Sequence, residues 1–204
     1  MTTWVEFLVE EPSMEVALWS LVPMIRPDLK DAFAVHPFEG RGDLLKKLPN
    51  RFKGYKASLA PESRIVVVLD EDRGDCAALK SRVESAARAA GLVPKGPGAT
   101  AMQFQVLTRL AVEELEAWFF GDVPALVKSY AKVPPTLASR QAYRDPDAIA
   151  GGTWEALERV LQKAGHFSGG LPKVQVAREV SKHMVPSQNM SKSFQVFRDG
   201  LANL

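Results

Sequence analysis

The chain has 204 residues, 46% hydrophobic and 25% charged, and its 26 basic and 24 acidic side chains leave a net charge of +2. This suits a globular chain and excludes a disordered one, while so even a balance speaks neither for nor against nucleic acid. One cysteine, Cys76, excludes an internal disulfide and a zinc site of several thiolates. With no signal-like start and no apolar run near the roughly 20 residues of a membrane helix, a cytoplasmic protein with no membrane contact is expected.

In chain order, WVEFLV (4–9) predicts a first strand ending at Glu10. Ser13 then reads as the N-cap of a helix with Val16, Leu18, Trp19, Leu21 and Val22 on a wide apolar face. AFAVHPF (32–38) predicts a second strand, and GRGDLLKKLPNRFKGY a loop and a basic helix interrupted near Pro49. RIVVVLD (64–70) is apolar without alternation, the pattern of a central parallel strand covered on both faces. Between 76 and 90, Leu79, Val83, Ala86, Ala87 and Ala90 keep helical spacing, and Gly91 supplies the C-cap. PKGPGA (94–99) is a loop, and FQVLTRLAV (104–112) predicts a fourth strand running into a helix EELEAWFF. Past residue 120, apolar residues recur at helical spacing around Leu126, Leu157, Val180 and Phe197, between linkers rich in Pro and Gly. The chain therefore predicts an α/β core over 1–120 and a helical extension over 121–204, packed on it as a single folding unit.

The strand 64–70 ends in acids. Ligands of parallel α/β sheets sit outside the carboxyl ends of the strands, where Glu10, Asp70 and Asp72 would converge. Asp70 and Asp72 could face one hard cation, for which oxygen ligands suit magnesium or manganese. The blander alternative is that Asp72 and Asp75 cap the helix that starts near Cys76. Glu113 and Glu116 are three apart, on one side of a predicted helix, either as part of a site or as acids suited to a helix N-terminus. Lys46, Lys47, Arg51 and Lys53, interleaved with Phe52 and Tyr55, could track a nucleic-acid backbone or form a solvated face. His36, His166 and His183 lack metal-site spacing and read as structural or surface residues. No G-x-x-x-x-G-K-[ST] or G-x-S-x-G is present, and nothing marks Cys76 as a nucleophile.

A Glu after strand one, D-x-D after strand three and a further Glu on the next element resemble the TOPRIM-like nucleases and topoisomerase-primase domains. FLVE resembles the first motif of that family and VVLDED its D-x-D motif. ELEAWFF is similar to the E-x-W segment of TOPRIM-like proteins found beside ATPases in bacterial defence systems. More closely, the chain resembles domain-of-unknown-function family 4276, a TOPRIM-like group, through LVEEPS, DLLKKLP, VVLDEDRGDC, EELEAWFFGD, YRDPDAI, GTWEALERVL, GGLPK and SFQVFRDGL. The usual first motif has Gly directly after the Glu, whereas Glu11 and Pro12 stand there in this chain, so Glu11 is a further candidate acid.

The resemblance implies a TOPRIM-like α/β fold, a mostly parallel sheet of about four strands flanked by helices. It implies metal-dependent cleavage of DNA or RNA in phage defence, with a separate ATPase as partner and Mg2+ or Mn2+ as cofactor. Asp70, Asp72 and Glu116 would be metal ligands, with Glu10 a ligand or a general acid/base. Lys173, in GGLPKV, would meet the substrate phosphate, or else be a solvated helix lysine. Asp75 is expected to cap the following helix and Glu71 to point away from the cluster. The other readings are a non-catalytic partner subunit of an ATPase complex, favoured by the altered EEP turn, and phosphoryl transfer on a small molecule.

Overall fold

The unbroken apolar run at 65–69 becomes the middle of a sheet. In a computed structural model of the chain, which describes residues 3–71 and 74–204, β3 (Arg64–Asp70) is buried along its whole length. It pairs with β1 (Val5–Val9) on one side and β4 (Val106–Ala111) on the other, and β2 (Phe33–Pro37) pairs with the far side of β1. The strand order is β2-β1-β3-β4 and every pairing is parallel. This agrees with the TOPRIM-like α/β class expected from the sequence. Parallel neighbours need crossovers, supplied by α1 (Pro12–Ile25), α2 (Arg41–Ser58) and α3 (Cys76–Ala89).

The pleat sorts side chains onto two faces. Phe7, Val66, Val68 and Leu107 share one apolar cluster with Leu18, Leu21 and the helices of the second half. Leu8, Ile65, Val67 and Leu69 share the other with Leu44, Leu48 and Phe52 of α2 and Val83 of α3. Alternation therefore gives Asp70 the same side as Val66 and Val68, the side that the second half of the chain covers. That half contributes α4 (Glu116–Phe120), α5 (Val123–Ser129), α6 (Thr153–Lys163), α7 (Lys173–Ser181) and α8 (Lys192–Ala202). Helix α1 lies against α7 and α8, α8 against β4, and α4 against α6.

Local expectations are corrected at three points. The first helix begins at Pro12, with Glu11 as its N-cap, and Ser13 is already inside it. Proline is pre-organised for the first helical position, so the helix starts one residue before the serine. The Ser13 hydroxyl instead donates to Glu11 Oε1 at 2.9 Å. Pro49 does not interrupt α2, which runs on to Ser58. Pro49 is exposed, so a carbonyl left without its N–H donor can meet water, while Leu44, Leu48 and Phe52 anchor the opposite face. Finally, the helix expected from Glu113 starts at Glu116, because Glu113 is a turn residue with φ of 59°.

Helix α3 follows the sequence closely. Asp75 Oδ1 accepts from the N–H groups of Ala77 and Ala78 at 2.8 and 3.0 Å, and Gly91 closes the far end with φ of 78°. His36 lies 2.6 Å from Glu6 Oε2, and His166 lies 2.9 Å from the carbonyl of Ala131.

Candidate functional site

The turn after β1 carries Glu10 and Glu11. Glu10 Oε2 accepts from the backbone N–H of Asp70 at 3.3 Å, which ties the carboxyl ends of β1 and β3. Glu11 has an extended backbone, φ −149° and ψ 165°, and passes directly into the helix at Pro12. No left-handed conformation is required there, so the turn does without the glycine of the usual motif.

Lys173 reaches this turn from the second half of the chain. It is the first residue of α7, and its Nζ lies 3.7 Å from Glu11 Oε1 and 5.4 Å from the centre of the Trp154 ring. Burial works against the charge of this lysine. The carboxylates of Glu116, Glu11, Glu114 and Asp70 outweigh it, and the ammonium is held above the usual lysine value. Four acids from three separate segments thus act on one half-buried cation.

Glu116 is 1% exposed, and its Oε2 has no hydrogen-bond partner among the described residues. Burial, with Glu114 and Glu11 adding to it, pushes its carboxyl up to about 7, against the opposing influence of Lys173 and a backbone hydrogen bond. Glu114 has a different duty. Its Oε2 accepts from the Thr153 hydroxyl and from the Trp154 N–H, both at 2.9 Å, and so holds the first turn of α6.

Other candidates lie elsewhere. The Glu113 N–H donates to Glu71 Oε2 at 3.4 Å, and Glu113 is not among the acids acting on Lys173. Glu71 is turned toward Glu113 and Cys76, whose thiol is pushed up by burial and then by Glu71. Lys46, Lys47, Arg51 and Lys53 are exposed on α2, across the sheet from Lys173. Lys47 pairs with Asp43 at 2.7 Å, and Lys47 and Arg51 both lie over the Phe38 ring. An open cleft of about 300 Å³ beside Glu71 brings in Arg41 and Arg82, which spacing did not single out. Arg41 Nη1 donates to the Glu71 carbonyl at 3.2 Å.

Asp72 lies outside the described residues. Among the described residues no three His, Cys, Asp or Glu side chains form a group able to hold a metal ion. The donors that do converge are carboxylate oxygens, the type that suits a hard cation, and the buried Oε2 of Glu116 is an acceptor with an unfilled place. No described helix is long and apolar enough to cross a membrane.

One family model matches, described as a domain of unknown function (DUF4276), over residues 9–202. No curated protein matches the chain. Among solved structures, the C-terminal region of the Xanthomonas campestris pv. campestris OLD protein aligns over 98% of this chain and 94% of that one, with 14% identity and a TM-score of 0.54. A second structure of that region covers 98% and 97%, with 16% identity and a TM-score of 0.48. At such identity the likeness is one of fold.

Proposed function

We propose, for a chain that belongs to the DUF4276 family, that it is a metal-dependent nuclease cleaving phosphodiester bonds in DNA or RNA. The observation that carries this reading is Lys173, half-buried at the carboxyl edge of a parallel sheet and acted on by Glu11, Glu114, Glu116 and Asp70. The shared fold with the OLD C-terminal region supports it, as does the resemblance of the acid motifs to TOPRIM-like nucleases. The same resemblance supports a role in bacterial phage defence beside a separate ATPase.

Phosphodiester hydrolysis asks little covalent chemistry of a protein and much charge stabilisation. Asp70 and Glu116, with Asp72, would hold Mg2+ or Mn2+, and the ion when bound would polarise the phosphate and lower the pKa of a water. The Lys173 ammonium would bind a non-bridging phosphate oxygen and offset the negative charge that builds there. Glu10, fixed by the Asp70 N–H, would hold or pass the proton that the leaving oxygen needs as the P–O bond breaks.

The altered EEP turn, with Glu11 and Pro12 where the usual motif has Gly, supports a second reading, a non-catalytic partner subunit. Calorimetry with Mn2+ in the presence of a short oligonucleotide separates the two. The nuclease reading expects saturable binding by wild type that weakens at least about tenfold in Glu116→Gln, in line with the cost of losing a charged ligand. Absence of Mn2+ binding with oligonucleotide present supports the partner subunit instead.

A further inference from the structure

We propose that Trp154 is the positioning residue for Lys173, its indole face holding the ammonium over the acid crevice. The inference rests on the nuclease reading above and adds to it Trp154, which the resemblance of GTWEALERVL leaves without a role.

Lys173 is poorly placed by local structure alone. As the first residue of α7 it puts a cation at the positive end of a helix dipole. Its stem is long and flexible, and its charge is strongly hydrated in water. Glu11 Oε1, at 3.7 Å, is too far for a direct hydrogen bond. The Trp154 ring centre, at 5.4 Å, is within the about 6 Å over which an aromatic face attracts a cation.

The backbone that carries the ring is fixed. The backbone N–H of Trp154 and the Thr153 hydroxyl share Glu114 Oε2 as acceptor, and Thr153 is fully buried. Glu114 stands two residues before Glu116, so one short segment supplies the buried acid of the crevice and anchors the main chain from which the ring faces Lys173. The choice of an aromatic group has a chemical consequence. A further carboxylate would compete with a substrate phosphate for the ammonium. An indole face attracts the cation without neutralising it and leaves N–H donors for phosphate oxygens.

The test uses the full chain with 13Cε-labelled lysine. Protons held over an indole face are shielded, so the Lys173 Hε resonance, assigned with Lys173→Ala, is expected upfield of the other lysines. Trp154→Met is expected to abolish that shift and Trp154→Phe to retain a smaller one. In single-turnover cleavage of a labelled oligonucleotide, Trp154→Met is expected to lower kcat roughly 3–30-fold with KM within about twofold, and Trp154→Phe to stay within about threefold of wild type. An unshifted Lys173 resonance in wild type overturns the inference whether or not the variants fold. So does wild-type kcat in Trp154→Met when Lys173→Ala is inactive. If wild type itself cleaves nothing, the nuclease reading fails, and the positioning role falls with it.

Discussion

The Glu10 carboxylate accepts a hydrogen bond from the backbone N–H of Asp70, sixty positions away, and so fastens the carboxyl end of β1 to that of β3. A strand end buried on both sides is a rigid mount, and rigidity is what a constellation of reacting groups needs. The link makes Glu10 both a brace and the proposed proton carrier. Glu10→Gln keeps an acceptor for the N–H and removes the charge. We expect its thermal unfolding to match wild type within a few degrees while single-turnover cleavage falls about 100-fold or more, the range of lost acid–base catalysis. Cleavage at the wild-type rate would remove Glu10 from the chemistry.

Glu116 predicts a pH dependence of stability. Its ordinary value is 4.5 and burial raises it to about 7 in the fold. Between those values the folded chain keeps a proton that the unfolded chain has released. Stability from this group is therefore complete below about 4.5 and is lost as pH rises through about 7, by on the order of 3 kcal/mol in metal-free protein. Urea unfolding in EDTA from pH 4.5 to 7.5 should show this decline, and Glu116→Gln should remove it. A slope unchanged by the substitution would mean that another group titrates.

Glu114 holds the start of α6 through two donors. Glu114→Ala leaves the buried Thr153 hydroxyl and the Trp154 N–H without their acceptor, and a loss of about 1–3 kcal/mol is expected in denaturant unfolding.

The basic face of α2 is tested by salt. Helix geometry places Lys53 about 18 Å along the axis from Arg41. If α2 tracks the substrate backbone, Lys46→Glu and Lys53→Glu each weaken oligonucleotide binding and lower the slope of log K against log salt by about 1. Unchanged slopes would assign these residues to a solvated face.

Much of the fold is legible in the sequence because its signals are local. The branched run at 65–69 could hardly serve elsewhere than in a central parallel strand, and Asp75 and Gly91 mark the ends of α3 by their own capping chemistry. Ser13 is a familiar capping residue, but the fixed φ of Pro12 starts α1 earlier and places the N-cap at Glu11, two positions upstream. Pro49 does not end α2 because packing outweighs propensity there, and Leu44, Leu48 and Phe52 secure the helix on both sides of it. The convergence of Lys173 with Glu11, and of Trp154 with Glu114, depends on how α6 and α7 dock against α4 and α1. No spacing encodes that docking, so a lysine in GGLPKV reads alone as an ordinary helix residue. Motif resemblance pointed to Lys173, whereas Trp154 and Glu114 emerged from tertiary structure.

In the proposed reaction, acids at the end of β3 carry metal-dependent phosphodiester cleavage. Its most direct measurement is the cleavage rate of labelled DNA and RNA oligonucleotides with Mg2+ or Mn2+, for wild type, Asp70→Ala and Asp72→Ala purified in parallel. Wild type is expected to cleave in a manner that EDTA abolishes, with a fall of about 100-fold or more in each variant, the scale of lost charge stabilisation at a reacting centre. Equal rates in all three preparations, or no cleavage by any, would contradict it.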